Sequence, residues 1–348
     1  MPTTKPTVAI FQLGTYYWSV NSTFYEIDAV NIAPRDIAAA LETYAAIARL
    51  DERARRSPLA CGWQERLLFD EALACQLAEG NLVHMDDLVL LDGNLRQGMT
   101  HLDLRDTLEM LRTWRRAVTG DPVTLLRAER PGIGNAPDID ASPMLRTPLR
   151  LTGMRADEPI DEQPQIDRQA MEQWRRVVRA SEQLPPLLAA AVAWDMWLEL
   201  MPEPGGAWRA SLLAALVLRQ RGVTRSYVLP IDSGRRNSSY RRRPGQTPDE
   251  RWMGVISWMH AAATRGYKQF DLLSLAEQQL RRCQAGRRRS SRLRSLVDLF
   301  LSRPLVTIPS AARHLGCTTQ AVERMLPLLG STPVLMTERR RFRAWRVA

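Results

Sequence analysis

Apolar residues recur every three or four positions through much of the chain, which is the spacing that a helix with one buried face requires. Between residues 34 and 56 this spacing places Ile37, Leu41, Tyr44, Ala45 and Ala48 on one side of a predicted helix. The same periodicity predicts further helices over residues 62–80, 84–92, 104–118, 168–184, 186–201, 207–222, 249–266 and 272–284. The body of the protein, which we define as residues 1–284, is therefore predicted to be helical.

The periodicity stops between residues 120 and 167, where proline and glycine are frequent. Such a composition predicts a linker or long loop. It separates an N-terminal helical part of the body, residues 1–119, from a second helical part, residues 168–284. The opening stretch to about residue 31 mixes aromatic and β-branched residues and indicates a short strand or an extended arm.

Residues 285–348, which we call the C-terminal unit, begin with an amphipathic helix. Leu293, Leu296, Val297 and Phe300 follow the spacing i, i+3, i+4, i+7. Ser290 or Ser291 can cap the start of this helix, and Pro304 lies beyond its end. The unit therefore opens with one helix that has a single apolar face.

Two shorter helices are predicted after it. Thr307 and Pro309 are typical of a helix start, and Gly316 can supply the positive φ that a tight turn requires. Thr318 is expected to cap the next helix, and Pro327 is expected to shorten it. Residues 333–348 alternate apolar and polar side chains, as a two-stranded hairpin does.

The order helix, helix, tight turn, helix, basic hairpin predicts a winged helix-turn-helix. In such units the second helix of the pair enters the major groove with its N-terminal residues, and basic side chains of the wing reach phosphates or the minor groove. Glutamine can read adenine and arginine can read guanine. The predicted DNA-binding residues are Thr318, Thr319, Gln320, Arg324, Arg339, Arg340, Arg341 and Arg343.

Charge is distributed unevenly, although the total is only +10. Residues 281–348 hold 15 arginines and 3 acids, and residues 219–243 hold 8 arginines and 1 acid. The first 218 residues hold 22 basic and 30 acidic side chains. A cationic segment on an acidic body indicates contact with nucleic acid, because counterion release supplies much of the affinity. The tract 281–292 suits phosphate contact and a solvated linker equally well.

The remaining features exclude several classes of protein. The longest apolar run, residues 184–200, contains two prolines and Asp195, so it is too short and too polar to span a bilayer. The N-terminus lacks the features of a secretory signal, and we expect a cytoplasmic protein. The cysteines and histidines show no zinc-ligand spacing, and the pair His314 and Cys317 is more typical of packing and surface positions. We expect neither a metal nor a cofactor.

Three segments carry a resemblance to a known family. Residues 63–93, 108–117 and 286–326 together resemble an uncharacterised family of bacterial helix-turn-helix proteins, often plasmid-encoded. The body of that family is distantly similar to Fic domains. The resemblance extends over most of the chain outside residues 120–167, and it implies a Fic-like helical bundle followed by the winged helix-turn-helix.

The motif of Fic AMP-transferases, HPFxDGNGRxxR, would fall on residues 201–212. Pro202, Gly206 and Arg209 match the motif. The match is thus confined to one proline, one glycine and the first arginine.

The departures from this motif affect the residues that carry its chemistry. Met201 stands where the resemblance requires the histidine base, Gly205 replaces the metal-binding acid, and Leu212 replaces the second arginine. Without a base and a magnesium ligand, phosphoryl-type transfer loses both proton removal and charge neutralisation. Cys75 and Glu79 resemble the inhibitory motif of Fic proteins, whose glutamate pairs with the arginine that Leu212 replaces here. A helix end with a glycine just beyond it therefore explains "EG" better.

The sequence therefore predicts a mainly α protein that binds double-stranded DNA as a transcriptional regulator, with a catalytically inactive body used for dimerisation or ligand sensing. A homodimer is expected, since paired recognition helices meet successive major grooves. One alternative is a plasmid partition or replication-control protein. Another is a nucleotidyl or phosphoryl transferase with relocated catalytic residues, which would be drawn from Glu199, Glu203, Arg209, Arg235, Arg236, Arg241, Arg242 and Arg243.

Overall fold

The computed structural model describes eight parts of the chain, which are residues 19–20, 23–24, 34–93, 101–127, 168–200, 207–284, 292–336 and 343–347. Helices account for most of these residues, and strands occur only as short segments. The predicted mainly α class is confirmed. Within these ranges, no helix has both the length and the apolar character that crossing a membrane requires.

The described part of the body contains ten α-helices, and six of them begin and end within two residues of the bounds that the sequence predicts. They are α1 (Pro34–Arg56), α2 (Ala60–Ala78), α3 (Met85–Asp92), α4 (Leu102–Thr119), α5 (Pro122–Arg127), α6 (Arg168–Ala180), α7 (Pro186–Leu200), α8 (Ala207–Gln220), α9 (Ile231–Asn237) and α10 (Pro248–Gln284). A 3-10 turn joins α6 to α7, and two short antiparallel strands, β1 (Ser19–Val20) and β2 (Thr23–Phe24), precede α1.

Two of these helices were not predicted. Helix α5 lies inside the range expected to be a linker, and it buries Leu125 and Leu126 while packing on α8. Helix α9 begins at Ile231, within the arginine-rich residues 219–243, and its first four residues are buried. Both helices are too short for apolar periodicity to reveal them. The rest of the predicted linker, residues 128–167, lies outside the described residues.

Helix α1 has the predicted length, but the predicted buried face is wrong. Ile37, Leu41 and Tyr44 are exposed, with 65% of Leu41 accessible. The side that packs on α10 instead carries Ile47 and Leu50, both fully buried. The two faces have nearly equal apolar content in the sequence, so contact with α10 decides which one is buried.

Helix α10 corrects a second expectation, because it is one helix of 37 residues where two were predicted. The first of the two predicted helices ends at Gly266. In the structure its missing side chain lets α1 and α2 approach: a Cβ there would lie 2.7 Å from Leu50 Cδ2. The indole nitrogen of Trp63 donates to the Gly266 carbonyl at 3.0 Å. Gly266 is therefore a packing residue within a continuous helix.

The core of the body is built around α7, α8 and α10 and is rich in tryptophan. Trp194 of α7 meets Trp258 of α10 edge to face, with ring centroids 5.0 Å apart. Trp174 meets Trp197 in the same way at 5.6 Å. All four rings are buried. Such pairs stabilise beyond their buried area by about 0.5–1.5 kcal/mol each.

The described part of the C-terminal unit contains three α-helices, α11 (Arg292–Ser302), α12 (Ile308–Leu315) and α13 (Thr319–Met325), and three strands, β3 (Val306–Thr307), β4 (Val334–Leu335) and β5 (Ala344–Arg346). The sheet order is β3-β5-β4, and both pairs are antiparallel. Strands β4 and β5 pair with each other and correspond to the predicted hairpin. The third strand, β3, lies directly before α12 and pairs with β5.

The body and the C-terminal unit are joined through a buried arginine. The Arg66 guanidinium of α2 donates to the carbonyls of Phe300 and Arg303, each at 2.7 Å, and of Leu301 at 2.9 Å. These carbonyls lie at the end of α11, where no helical N–H follows to satisfy them. Burial lowers the pKa of Arg66 to about 10, so the group stays charged at neutral pH.

Glycine lets the two backbones meet beside this arginine. A Cβ on Gly62 would lie 1.9 Å from the Leu301 carbonyl oxygen, so no other residue fits there without a shift of the backbone. The end of α10 makes further contacts with the C-terminal unit. Arg281 pairs with Asp298 at 2.9 Å, and Thr332 Oγ1 donates to Gln279 Oε1 at 3.2 Å. The C-terminal unit is thus packed on both α2 and α10.

Candidate nucleic-acid interface

Helix α12 begins and ends as the sequence predicts. Thr307 Oγ1 accepts from the Ser310 N–H at 3.2 Å, and Ser310 Oγ accepts from the Thr307 N–H at 3.0 Å, which is a reciprocal capping box. Gly316 adopts φ 59°, the left-handed conformation that glycine tolerates without strain. The Cys317 N–H then bonds to the Ala312 carbonyl at 3.0 Å, which completes the tight turn.

Helix α13 follows at once and is short. Thr318 caps it, with Oγ1 accepting from the Ala321 N–H at 3.2 Å. Val322 is buried against α12, and the helix gives way at Leu326 to a 3-10 segment that contains Pro327. Since proline has no N–H to continue the helical ladder, the predicted shortening has its expected cause.

The predicted base-reading residues occupy the exposed side of α13. Thr318, Thr319, Gln320 and Arg324 are all exposed, and so is Glu323. Polar and cationic side chains therefore project from the first two turns of the helix. This is the part that a helix-turn-helix presents to base edges.

The wing reaches α13 through one described arginine. Arg343 lies 3.5 Å from Glu323 and stands over the Trp345 ring at 5.8 Å from its centroid. Trp345 is half-buried and packs on the core. The predicted tip residues Arg339, Arg340 and Arg341, together with Phe342, lie outside the described residues. The structure thus brings one wing cation to the side of the predicted reading helix.

Some cations of the unit were missed by the sequence analysis. Arg346 is exposed on β5, opposite Val334 of the neighbouring strand β4. Arg313 and His314 line a cleft of about 440 Å³ between α12 and the body, where Asp92 is on the opposite side. The strongly basic composition of the unit indicated that it holds further cations. Only the fold shows that Arg346 is exposed on β5 and that Arg313 and His314 face the body.

The structure describes only some residues of the segment that resembles the Fic motif. Met201, Pro202, Gly205 and Gly206 lie outside the described residues. Arg209 is half-buried in the first turn of α8, with its guanidinium 5.4 Å from the centroid of the Trp208 ring.

Leu212 of α8, the position of the second Fic arginine, is fully buried in the apolar core. The residues that resemble the inhibitory motif of Fic proteins lie at the end of α2. Glu79 is at the end of α2, and Gly80 with φ 91° ends that helix. Burial and the charges of Asp232 and Asp106 raise the pKa of Glu79, while Arg209 opposes the shift.

A buried polar cluster near this helix end was not predicted. Glu71, Cys75 and Asp232 approach so closely that one ligand atom from each lies within 4.8 Å of the others. The Glu71 carboxylate accepts from the backbone N–H groups of Asp232 and Ser233 at 2.9 and 2.7 Å. The Cys75 thiol donates to Asp232 Oδ2 at 3.4 Å. Glu71 thereby satisfies the start of α9, in the manner of a capping carboxylate.

This cluster has the donor types of a metal site, and burial disfavours the charged form of each of its acidic groups. Burial, reinforced by the neighbouring Asp232 charge, raises the pKa of Glu71 and of the Cys75 thiol. Burial also raises the pKa of Asp232 against the opposing charge of Arg235. In the structure these side chains take part in an internal hydrogen-bonded network.

The raised pKa values predict how stability responds to pH. Carboxyl groups ionise near pH 4 in the unfolded chain and at a higher pH in the folded one, so the unfolded chain releases protons first. The free energy of unfolding should therefore fall as the pH rises through this interval, by up to about 1.4 kcal/mol per pH unit for each group. Asp232→Asn should make this fall shallower.

Urea unfolding at several values between about pH 5 and pH 9 measures the slope. Glu42→Gln, at an exposed position on α1, is the control and should reproduce the dependence of the unaltered chain. An Asp232→Asn variant with an unchanged slope would contradict the protonation assigned to the cluster.

Two residues proposed for a relocated transferase site, Glu199 and Arg242, are engaged in an ion-pair network around the buried Asp195. Asp195 of α7 is fully buried, and it pairs with Arg251 at 2.8 Å and with Arg242 at 3.1 Å. Arg242 also binds Glu199 at 2.5 Å. These contacts tie α7 to α10 and to the loop before it. Arg235 is held elsewhere, beside Asp232 at 3.6 Å.

Comparison with known proteins bears on both parts of the chain. Residues 160–285 match a family model described as "Protein of unknown function (DUF1612)", and residues 293–348 match one described as "HTH DNA binding domain". The predicted helix-turn-helix unit and its DNA-binding class are confirmed by the second match.

One curated relative and one solved structure are similar over most of the chain. The chain is 31% identical to "Uncharacterized protein y4cF" of Sinorhizobium fredii (strain NBRC 101917 / NGR234) over 366 residues, covering 88% of this chain and 96% of that protein. A Fic family protein from Desulfovibrio desulfuricans G20 is 14% identical, covers 91% of this chain and 97% of its own, and gives a TM-score of 0.44. That score is too low to establish a shared fold.

Proposed function

The chain belongs to the same protein family as y4cF of Sinorhizobium fredii, and from this premise we propose that it is a sequence-specific DNA-binding transcriptional regulator. Its C-terminal unit binds double-stranded DNA, and its body is a non-catalytic scaffold for dimerisation or ligand sensing. The observation that carries the proposal is the exposed, Thr318-capped start of α13, with Gln320 and Arg324 free of the core. A charged residue of the wing, Arg343, stands beside it.

The proposal for a silent body is supported by residue chemistry. The positions that resemble the Fic base and metal ligand are Met201 and Gly205, and neither side chain can move a proton or hold magnesium. Titration with ATP and magnesium, together with transfer of labelled nucleotide, tests this part. Turnover that disappears in Arg209→Ala would overturn it and favour the transferase alternative.

Recovery of bound fragments from the host genome by the purified full-length protein tests the regulatory role. A few sites at promoters are expected. Sites clustered at a replication origin would instead favour a partition or replication-control protein. Absence of retention on any host duplex at low ionic strength would overturn DNA binding altogether.

The oligomeric state is a separate part of the proposal. A homodimer would place two copies of α13 over successive major grooves, one helical turn apart. Sedimentation of the free protein and of its complex with a selected fragment measures the number of copies bound. A single copy on a selected site would contradict the dimer.

Gln320→Ala is expected to alter the preferred site at one or two base positions, at a cost of about 1–3 kcal/mol there. The side chain is exposed on the first turn of α13, so the folded state should be unaffected. Selection of bound fragments with the variant, followed by titration of single-base changes, measures the effect. Gln220→Ala, an exposed glutamine at the end of α8, is the matched control. An unchanged site for Gln320→Ala means that another element reads the bases.

A further inference from the structure

One acidic residue, Glu323, lies on the exposed side of the predicted reading helix α13. It is one of only three acids in residues 281–348, which hold 15 arginines. A carboxylate close to a duplex is repelled by the phosphates, so it lowers the affinity for DNA unless it gains a specific partner there. The position of Glu323 therefore indicates a role in the choice of DNA sequence.

Glu323 projects from the same side of α13 as Gln320. The two residues are three positions apart, so their side chains lie about one helical turn from each other. Val322 is buried, which fixes the side of the helix that faces away from the core. The Glu323 side chain is 48% exposed. If Gln320 meets the edge of one base pair, Glu323 is placed to meet the edge of a neighbouring pair.

Arg343 of the wing lies beside Glu323 without occupying all of its carboxylate. The guanidinium is 3.5 Å from Glu323 Oε1, which is longer than a normal hydrogen bond. Both side chains line an open groove of about 470 Å³ between α13 and the wing, together with Pro327 and Trp345. An ionised carboxylate has about four acceptor sites on its two oxygens. Glu323 can therefore accept from a base while Arg343 stays next to it.

We propose, on the basis of the DNA binding inferred above, that Glu323 reads a cytosine in the major groove and excludes sites that lack it. Cytosine presents the N4 amino donor there and no acceptor of its own, which suits a group that can only accept. Adenine places its N7 acceptor beside its amine, and guanine and thymine present acceptors. Each of these three bases thus repels part of the carboxylate.

The same carboxylate penalises the wrong bases, because an ionised group without a donor is left desolvated in the groove. Arg343 does not remove this cost, since its contact with Glu323 is too long for a strong hydrogen bond. We expect any other base at this position to lower the affinity by about 5-fold to 150-fold. Glu323 is then a determinant of specificity that gains nothing in non-specific affinity.

Selection from a pool of random duplexes by the purified full-length protein is the first measurement. The selected site should contain a cytosine that no other base replaces without the loss of affinity given above. Glu323→Ala should bind all four bases at that position about equally. Its affinity for poly(dA-dT), which has no cytosine, should rise by about 5-fold or more, because the unpaired carboxylate is gone.

The sign of this change separates base reading from a structural role. If Glu323 only anchored the wing through Arg343, Glu323→Ala would weaken binding to all sequences to the same degree. That result overturns the proposal, and so does a cytosine preference that survives in Glu323→Ala. Since the side chain is 48% exposed, the variant should fold.

Glu109→Ala is the matched control for net charge. Glu109 is 64% exposed on α4 of the body and pairs with Arg112 at 2.8 Å. Its removal changes the charge of the protein by the same amount and should alter neither the selected site nor the affinity for poly(dA-dT). An equal rise in affinity in both variants would mean that total charge acts without regard to position, and the proposal would fail.

Glu323→Gln tests the chemistry of the contact. Glutamine has a similar size but also donates, and it can pair with both N6 and N7 of adenine. The variant should therefore accept adenine where the unaltered chain requires cytosine. Adenine bound no better than before would contradict the assigned contact.

The unaltered chain itself distinguishes this proposal from the broader one. A selected site that depends on no cytosine would overturn the role of Glu323 and leave DNA binding in place. Absence of binding to any duplex of the pool would overturn both.

Discussion

Replacing Arg66 with methionine is expected to lower the free energy of unfolding by about 3–5 kcal/mol. Methionine fills a similar length but donates no hydrogen bond, so the carbonyls of Phe300, Leu301 and Arg303 would lose their buried partner. The loss also weakens the joint between the body and the C-terminal unit. Urea unfolding, followed by circular dichroism and tryptophan fluorescence, measures the change in free energy.

Two further variants isolate the cause. Arg66→Lys keeps the charge but concentrates its donors on one nitrogen, so an intermediate loss is expected. Arg55→Met removes an arginine whose side chain is 59% exposed and should change stability by no more than about 0.5 kcal/mol. If Arg66→Met proved as stable as Arg55→Met, the guanidinium would not be what joins the two parts.

Replacing Arg339, Arg340 and Arg341 together with alanine should weaken binding to every DNA sequence. Each phosphate contact contributes about 0.9 to the slope of log affinity against log salt, so three contacts contribute about 2.7. At 0.1 M salt this corresponds to a loss of roughly two to three orders of magnitude in affinity. Titration of labelled duplex across a range of salt concentrations measures both the slope and the affinity.

The control removes the same charge from the body. Arg49, Arg55 and Arg56 are exposed on α1, and their joint replacement by alanine should leave the salt slope nearly unchanged. A slope that falls equally in both triple variants would mean that net charge matters and position does not. A slope that falls in neither would remove the wing from the interface.

The C-terminal unit could be predicted in detail because its signals are local. Thr307, Gly316 and Thr318 act on residues within three or four positions of themselves, and each does in the structure what its residue type favours. The third strand of the sheet was not predicted. It depends on β3 pairing with β5 about 38 positions later, with Val306 opposite Trp345. No residue close to Val306 in the sequence indicates that pairing.

Some features of the body depend on contacts between residues that are far apart in the sequence. The length of α1 follows from its own residues, but its buried side depends on α10, more than 200 positions away, as the Thr43–His260 contact shows. Glycine is common at helix ends, but Gly266 lies inside α10, where its missing side chain lets α1 and α2 approach closely. In both cases tertiary contact overrides a pattern that is ambiguous by itself.

The cluster of Glu71, Cys75 and Asp232 could not be predicted for a related reason. Glu71 and Cys75 look like one turn of a helix, and Asp232 lies 157 positions beyond Cys75. Nothing in the spacing of the sequence pairs them. Only the packing of α9 against α2 brings the two carboxyl groups and the thiol together and shifts their pKa values.

Because α10 runs without a break from the Asp195 network to Gln279 and Arg281, it extends for about 55 Å with no hinge along its length. Two copies joined through their bodies would therefore hold their reading helices at a set separation. A duplex whose successive major grooves did not match that separation would have to bend or twist to meet it. The stiffness of the base pairs between the two contacted segments would then influence affinity, although no side chain touches them.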